Sequence, residues 1–92
     1  MLEFDWDDEN LRHIARHGVT AAEVEYVLAH LTVDLGFQDW HESEERFSDA
    51  GATVSGRILV VVTTERSFKT RVVTAYDAPN EVREQYLKLM VS

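Results

Sequence analysis

Residues 57–77 limit the possible folds more than any other stretch. Arg57-Ile58-Leu59-Val60-Val61-Val62-Thr63-Thr64-Glu65 is a nearly unbroken run of β-branched and aliphatic side chains. Such a run suits a strand buried on both faces. After Arg66-Ser67-Phe68-Lys69 the chain resumes as Thr70-Arg71-Val72-Val73-Thr74-Ala75-Tyr76-Asp77. This second arm alternates, with Arg71, Val73 and Ala75 expected on one face and Val72, Thr74 and Tyr76 on the other. Two such arms with four residues between them predict an antiparallel hairpin. Ionisable groups cluster near its ends: Arg57, Glu65, Arg66, Lys69, Arg71 and Tyr76.

The remaining chain must cover this hairpin. With 92 residues there is room for a single domain, 1–92, and 45% hydrophobic content builds one modest core. Cysteine is absent, so disulfides and thiolate metal sites are excluded. No stretch has the apolar length of a membrane span, and Met1-Leu2-Glu3-Phe4-Asp5 lacks the basic-then-apolar order of a signal peptide. The expected location is the cytoplasm. The net charge of −8 argues against general nucleic-acid affinity. That charge is uneven, however. Residues 1–50 carry 13 acids against 3 bases (−10), and residues 51–92 carry 4 acids against 6 bases (+2). A phosphate-facing surface would come from the second half, although arginines that merely balance acidic helices would leave the same pattern.

Leu2-Glu3-Phe4-Asp5-Trp6 alternates and predicts a short edge strand with Leu2, Phe4 and Trp6 inward. Asp7 or Asp8 caps a helix whose face is Leu11, Ile14 and Ala15, and Gly18 stops it. Thr20-Ala21-Ala22-Glu23 is a capping box for a second helix to about His30, with Ala21, Val24, Val27, Leu28 and Leu31 as its apolar stripe. Thr32 to Gln38 is a strand, Asp39 to Ser43 a polar turn, and Glu45 to Gly51 a weaker strand with a bulge expected at Gly51. Beyond Pro79, Asn80 is expected to cap a last helix to about Lys88, with Val82, Tyr86 and Leu89 inward. The result is an α+β domain: short N-terminal strand, two helices, four-stranded antiparallel sheet, C-terminal helix. Its helices are expected mostly on one sheet face, leaving the other face or its rim for a ligand.

The order of motifs resembles that of the BrnT family of type II toxins. Trp6-Asp7, Asn10, His13-Ile14, Arg16-His17-Gly18-Val19 and Glu23-Val24-Glu25 match its start. Glu45-Arg46-Phe47, Gly56-Arg57, Glu65-Arg66, Arg71-Val72-Val73-Thr74-Ala75, Arg83 and Tyr86 follow in order. The resemblance implies a RelE-like fold and a ribonuclease that cleaves RNA and inhibits translation, with the ribosome as one place where it would meet its RNA. It also implies an antitoxin partner of ribbon-helix-helix type, through which alone the protein would meet DNA. Two positions depart from the family pattern. Tyr76 stands where the family has arginine, and Val82 where its last helix carries glutamate; both bear on catalysis more than on fold.

Metal-independent RNA cleavage needs a base for the 2′-hydroxyl, an acid for the leaving 5′-oxygen and cations for the charge growing on phosphorus. His17 is a candidate base or acid, Glu65 an alternative base and Tyr76 an alternative acid. Arg57, Arg66 and Arg71 are candidates to clamp the phosphate. Trp6, Arg16, Arg46, Lys69, Arg83 and Tyr86 are candidate RNA contacts. Each has a plainer role open to it: His17 capping carbonyls, Arg66 pairing with Glu65, Tyr76 and Tyr86 filling a core or rim. His13 and His17 have a spacing that can hold zinc, and His30 and His41 are further donors, yet no third ligand is fixed and no metal or other cofactor is expected. The competing function is a catalytically weak or inactive BrnT-like module that binds its antitoxin and co-regulates transcription.

Overall fold

The structure, a computed structural model, describes residues 2–41 and 44–91, with 37–41 in backbone only. In chain order it has α1 (Asp8–Ala15), α2 (Ala21–Ala29), β1 (Thr32–His41), β2 (Glu44–Ala52), β3 (Ile58–Arg66), β4 (Lys69–Asp77) and α3 (Asn80–Val91). The four strands form one antiparallel sheet in the order β1-β2-β3-β4. This is the α+β class that the sequence predicts. No helix among the described residues is long and apolar enough to cross a membrane.

Local sequence explains the helix ends. The Asp7 carboxylate accepts from Asn10 N–H at 3.1 Å and the Asn10 side-chain oxygen accepts from Asp7 N–H at 2.8 Å, a reciprocal cap. Thr20 and Glu23 do the same for α2. After α1, Gly18 takes φ +69°. Gly18 N–H returns to Ala15 O and Val19 N–H to Ile14 O, both near 3 Å. That is the Schellman pattern, and Val19 and Ile14 meet in the core, as the motif favours.

Several expectations change on contact with tertiary structure. The N-terminal segment is reduced to one parallel bridge, Phe4 to Thr70, at the free edge of β4. The hairpin connection is two residues, not four, because β3 runs through Arg66 and β4 starts at Lys69. Asp39, Trp40 and His41 belong to β1 rather than to a turn; residues 42 and 43 lie outside the described residues. Gly51 pairs in regular register. Its role is close approach: a Cβ there would stand 2.7 Å from Val27 Cγ1, so α2 can lie on β2 only over a glycine. The bulges fall elsewhere, around Gly36 in β1 (φ +91°) and at Val73 in β4. Leu31, expected in the apolar stripe, is exposed, two residues past the end of α2. Helix α3 starts at Asn80, so Pro79 occupies the cap position and accepts from Arg83 N–H; Leu89 is exposed and Tyr86 buried.

The helices also divide differently. Cross-strand partners share a face, so Leu59, Val61, Val72 and Ala75 lie on one side, under Ile14, Val19, Val24 and Val27. Ile58, Ala50 and Val33 lie on the other side, under Tyr86 and Val82 of α3. Thus α1 and α2 cover one face, and α3 covers only part of the second. The Val73 bulge decides what the uncovered part presents. Val62 pairs with Thr74, and Thr63 with Val72, skipping Val73. The skip puts Val72 on the helix-covered face with Ala75, and turns Arg71 to the opposite face, paired with Thr64.

Candidate active site

The uncovered half of the second face holds a depression of about 340 Å³. Its floor is Thr64 and Arg71, its walls are Glu44, Arg46 and Arg66 on one side and Glu9, Asn10 and His13 of α1 on the other. Alternation explains the strand contributions: Glu44 and Arg46 are two apart on β2, and Thr64 and Arg66 two apart on β3. Asn10 and His13 are three apart on α1, so they share a helix face. A second, wider groove is lined by Leu2, Phe4, Glu25, Leu28 and Ala29, and its one ionisable group, Glu25, already accepts from Trp6 Nε1–H at 2.7 Å. Of these two, the first gathers the reactive groups.

Arg71 is the deepest cation, 6% exposed. It donates to Asp7 from both terminal nitrogens, at 2.9 and 3.2 Å, and to Glu9 at 3.1 Å. The Asp7 hydrogen bond raises the Arg71 pKa and, reciprocally, holds the Asp7 carboxyl below its usual range. Arg66 donates to Glu44 at 3.0 Å, and that bond keeps Glu44 ionised below the ordinary glutamate range, with Arg46 adding to the effect. Arg46 Nε–H is buried without a hydrogen-bond acceptor; Glu44 Oε1 lies 3.5 Å away, in ion-pair range only. Thr64 donates to the Glu45 carbonyl at 2.6 Å, which ties β3 to β2 beneath the pocket.

The other residues singled out by sequence lie outside this depression. Arg57 has a different occupation: it grips Asp77 at 2.6 and 3.1 Å and donates to the carbonyls of Gly18 (2.8 Å) and His17 (3.0 Å). It therefore closes the C-terminus of α1, where free carbonyls attract a cation. Its pKa is raised and that of Asp77 lowered by their shared hydrogen bond. His17 and Tyr76 do come together, ring centres 6.0 Å apart, and His13 stands 6.3 Å from His17 along α1. This aromatic row leads from Tyr76 to the pocket wall. Glu65 is exposed and paired with Thr70, on the face that Arg66 and Arg71 do not share. Lys69 lies 3.9 Å from Glu3. Trp6 packs against the first core and Tyr86 fills the second, while Arg16 and Arg83 are exposed on the surface. Sequence reading passed over His13, Glu44, Glu9, Asn10 and Thr64 as site residues. The signals were faint: His13 is one turn from His17, and Glu44 two residues from Arg46.

Chemically, the depression offers guanidinium groups from β2, β3 and β4 facing an imidazole from α1. Guanidinium forks bind phosphate oxygens, and an imidazole moves protons near neutrality. Among the described residues no three His, Asp or Glu side chains converge as a metal-binding group. The pocket on the half-open sheet face of this small α+β domain is thus lined by arginines together with carboxylate partners.

The model of the family described as the ribonuclease toxin, BrnT, of type II toxin-antitoxin systems matches residues 6–81, and the chain belongs to that family. The match spans every element from α1 through β4 and the start of α3. A comparison with curated proteins finds no significant match.

Proposed function

We propose that this toxin is a metal-independent endoribonuclease acting in the cytoplasm, that it inhibits translation by cutting RNA, and that a DNA-binding antitoxin of ribbon-helix-helix type neutralises it. The carrying observation is the convergence of Arg46, Arg66, Arg71 and His13 on one depression. In this reading the 2′-hydroxyl attacks the adjacent phosphorus and the P–O5′ bond breaks. The products are a 2′,3′-cyclic phosphate and a free 5′-hydroxyl. His13 accepts the 2′-hydroxyl proton and solvent water supplies the proton taken up by the leaving 5′-oxygen; Arg66 and Arg46 meet the charge on the non-bridging oxygens, and buried Arg71 holds the field from below. Glu44 and Glu9 occupy these cations when RNA is absent, so the phosphate must displace them. Glu9 is well exposed and its pair is weak; Glu44 is held more firmly.

The same carboxylates favour the second reading, a docking module with little catalysis, because Arg66 and Arg71 already have partners. Purified protein incubated with single-stranded RNA in EDTA separates the two. The nuclease gives fragments ending in cyclic phosphate, and His13→Ala and Arg66→Ala each remove them. Absence of cleavage, on free RNA and on ribosome-bound message alike, leaves the docking module.

A further inference from the structure

The tip of the β3–β4 hairpin is built against local preference. Ser67 and Phe68 form its two-residue turn with φ +54° and +65°. Paired positive φ values belong to a type I′ turn, which selects Asn or Asp followed by Gly because larger L side chains are strained there. Phe68 moreover makes no packing contact that offsets the strain: its relative exposure is 103%. A glycine at this position would serve the fold better. The aromatic ring also has a specific setting. Arg66, a wall of the phosphate pocket, is two residues before it, and Lys69, the cross-strand partner of Arg66, is the next residue.

We infer that Phe68 is a base-stacking contact for single-stranded RNA, holding the nucleotide next to the one whose phosphate lies in the pocket. This rests on the ribonuclease reading above. An exposed ring bracketed by cations matches what a single strand presents, a flat base beside a charged linkage. The strained turn keeps the ring in solvent, where a base can reach it.

The test uses the full chain with Phe68→Gly and Phe68→Trp. Affinity is read by fluorescence anisotropy on a short 2′-O-methyl RNA, which cannot be cut, and turnover is read on the ribose form. Phe68→Gly is expected to unfold at the same or higher urea concentration, to bind RNA roughly tenfold more weakly, and to lose kcat/KM mainly through KM. Phe68→Trp is expected to keep affinity, with quenching of the new indole on RNA binding. A folded Phe68→Gly protein that binds and cuts like the wild type overturns the inference and leaves the nuclease standing. Wild-type protein that neither binds nor cuts RNA overturns both. Unchanged RNA affinity with lost co-purification of the product of the adjacent gene would make the tip a protein contact, which also overturns it.

Discussion

The two ends of the β3–β4 hairpin hold their arginines in different ways. At the open end Arg57 spends its fork on Asp77 and on two carbonyls of the α1 terminus. No donor there is left over for a ligand, and what it joins are segments far apart in sequence. Near the closed end Arg66 has one carboxylate partner, Glu44, and remains half exposed at the pocket wall. The residue type is identical; the neighbours decide. A guanidinium whose every donor is engaged, two of them by backbone carbonyls that cannot leave, is architecture. One held by a single side chain is available, because a side chain can rotate away.

This contrast can be broken by exchange of effects. Arg66→Ala is expected to lower RNA cleavage at least about hundredfold, the usual cost of one transition-state donor, while its urea midpoint stays near wild type since exposed pairs contribute only ~0–1 kcal/mol. Arg71→Ala stands between the two ends: it is buried, so it should lose both cleavage and about 2 kcal/mol of stability, read by the same pair of assays. Arg57→Ala should do the reverse of Arg66→Ala. Equilibrium unfolding should show a loss of about 2 to 3 kcal/mol, with kcat/KM per folded molecule within about twofold of wild type. If Arg57→Ala instead abolishes cleavage in a fully folded protein, the division between the two ends is wrong.

Smaller effects sharpen it. Glu44→Gln removes the charge competing with phosphate, and RNA affinity by anisotropy should rise about threefold, the equivalent of a weakened ion pair. The acid pairs also set a pH dependence. Asp77 and Asp7 have depressed pKa values in the folded state, each first through its arginine hydrogen bond. Their stabilisation is complete above the unfolded carboxylate value, near ~3.9, and disappears as pH falls through the lower folded values. Asp77→Asn should therefore be less stable than wild type at pH 7, and the gap in urea midpoint should narrow toward pH 3. A gap that widens on acidification would contradict the Arg57–Asp77 anchor.

Much of the molecule was legible before folding. The caps of α1 and α2, the Gly18 stop, the buried run Ile58–Val62 and the order of the helices and the four sheet strands all follow from interactions between residues a few positions apart. The family motifs pointed to Arg46, Arg66 and Arg71, which share the pocket, and equally to Arg57, which does not. Sequence reading favoured His17, yet the histidine on the pocket wall is His13, one turn earlier. Helical periodicity allows either; which one faces the pocket depends on how α1 lies against β4.

Short-range sequence rules set the helices, the strands and the supply of cations, because caps, turns and alternation are decided by near neighbours. Tertiary pairing alone decided which face each group joined. Skipping Val73 reverses the alternation between Ala75 and Arg71, and so moves Arg71 from the apolar side to the open one. No local preference encodes that skip. It exists because β4 must bury Val72 and Ala75 on the same face, against Ile14 and Val61.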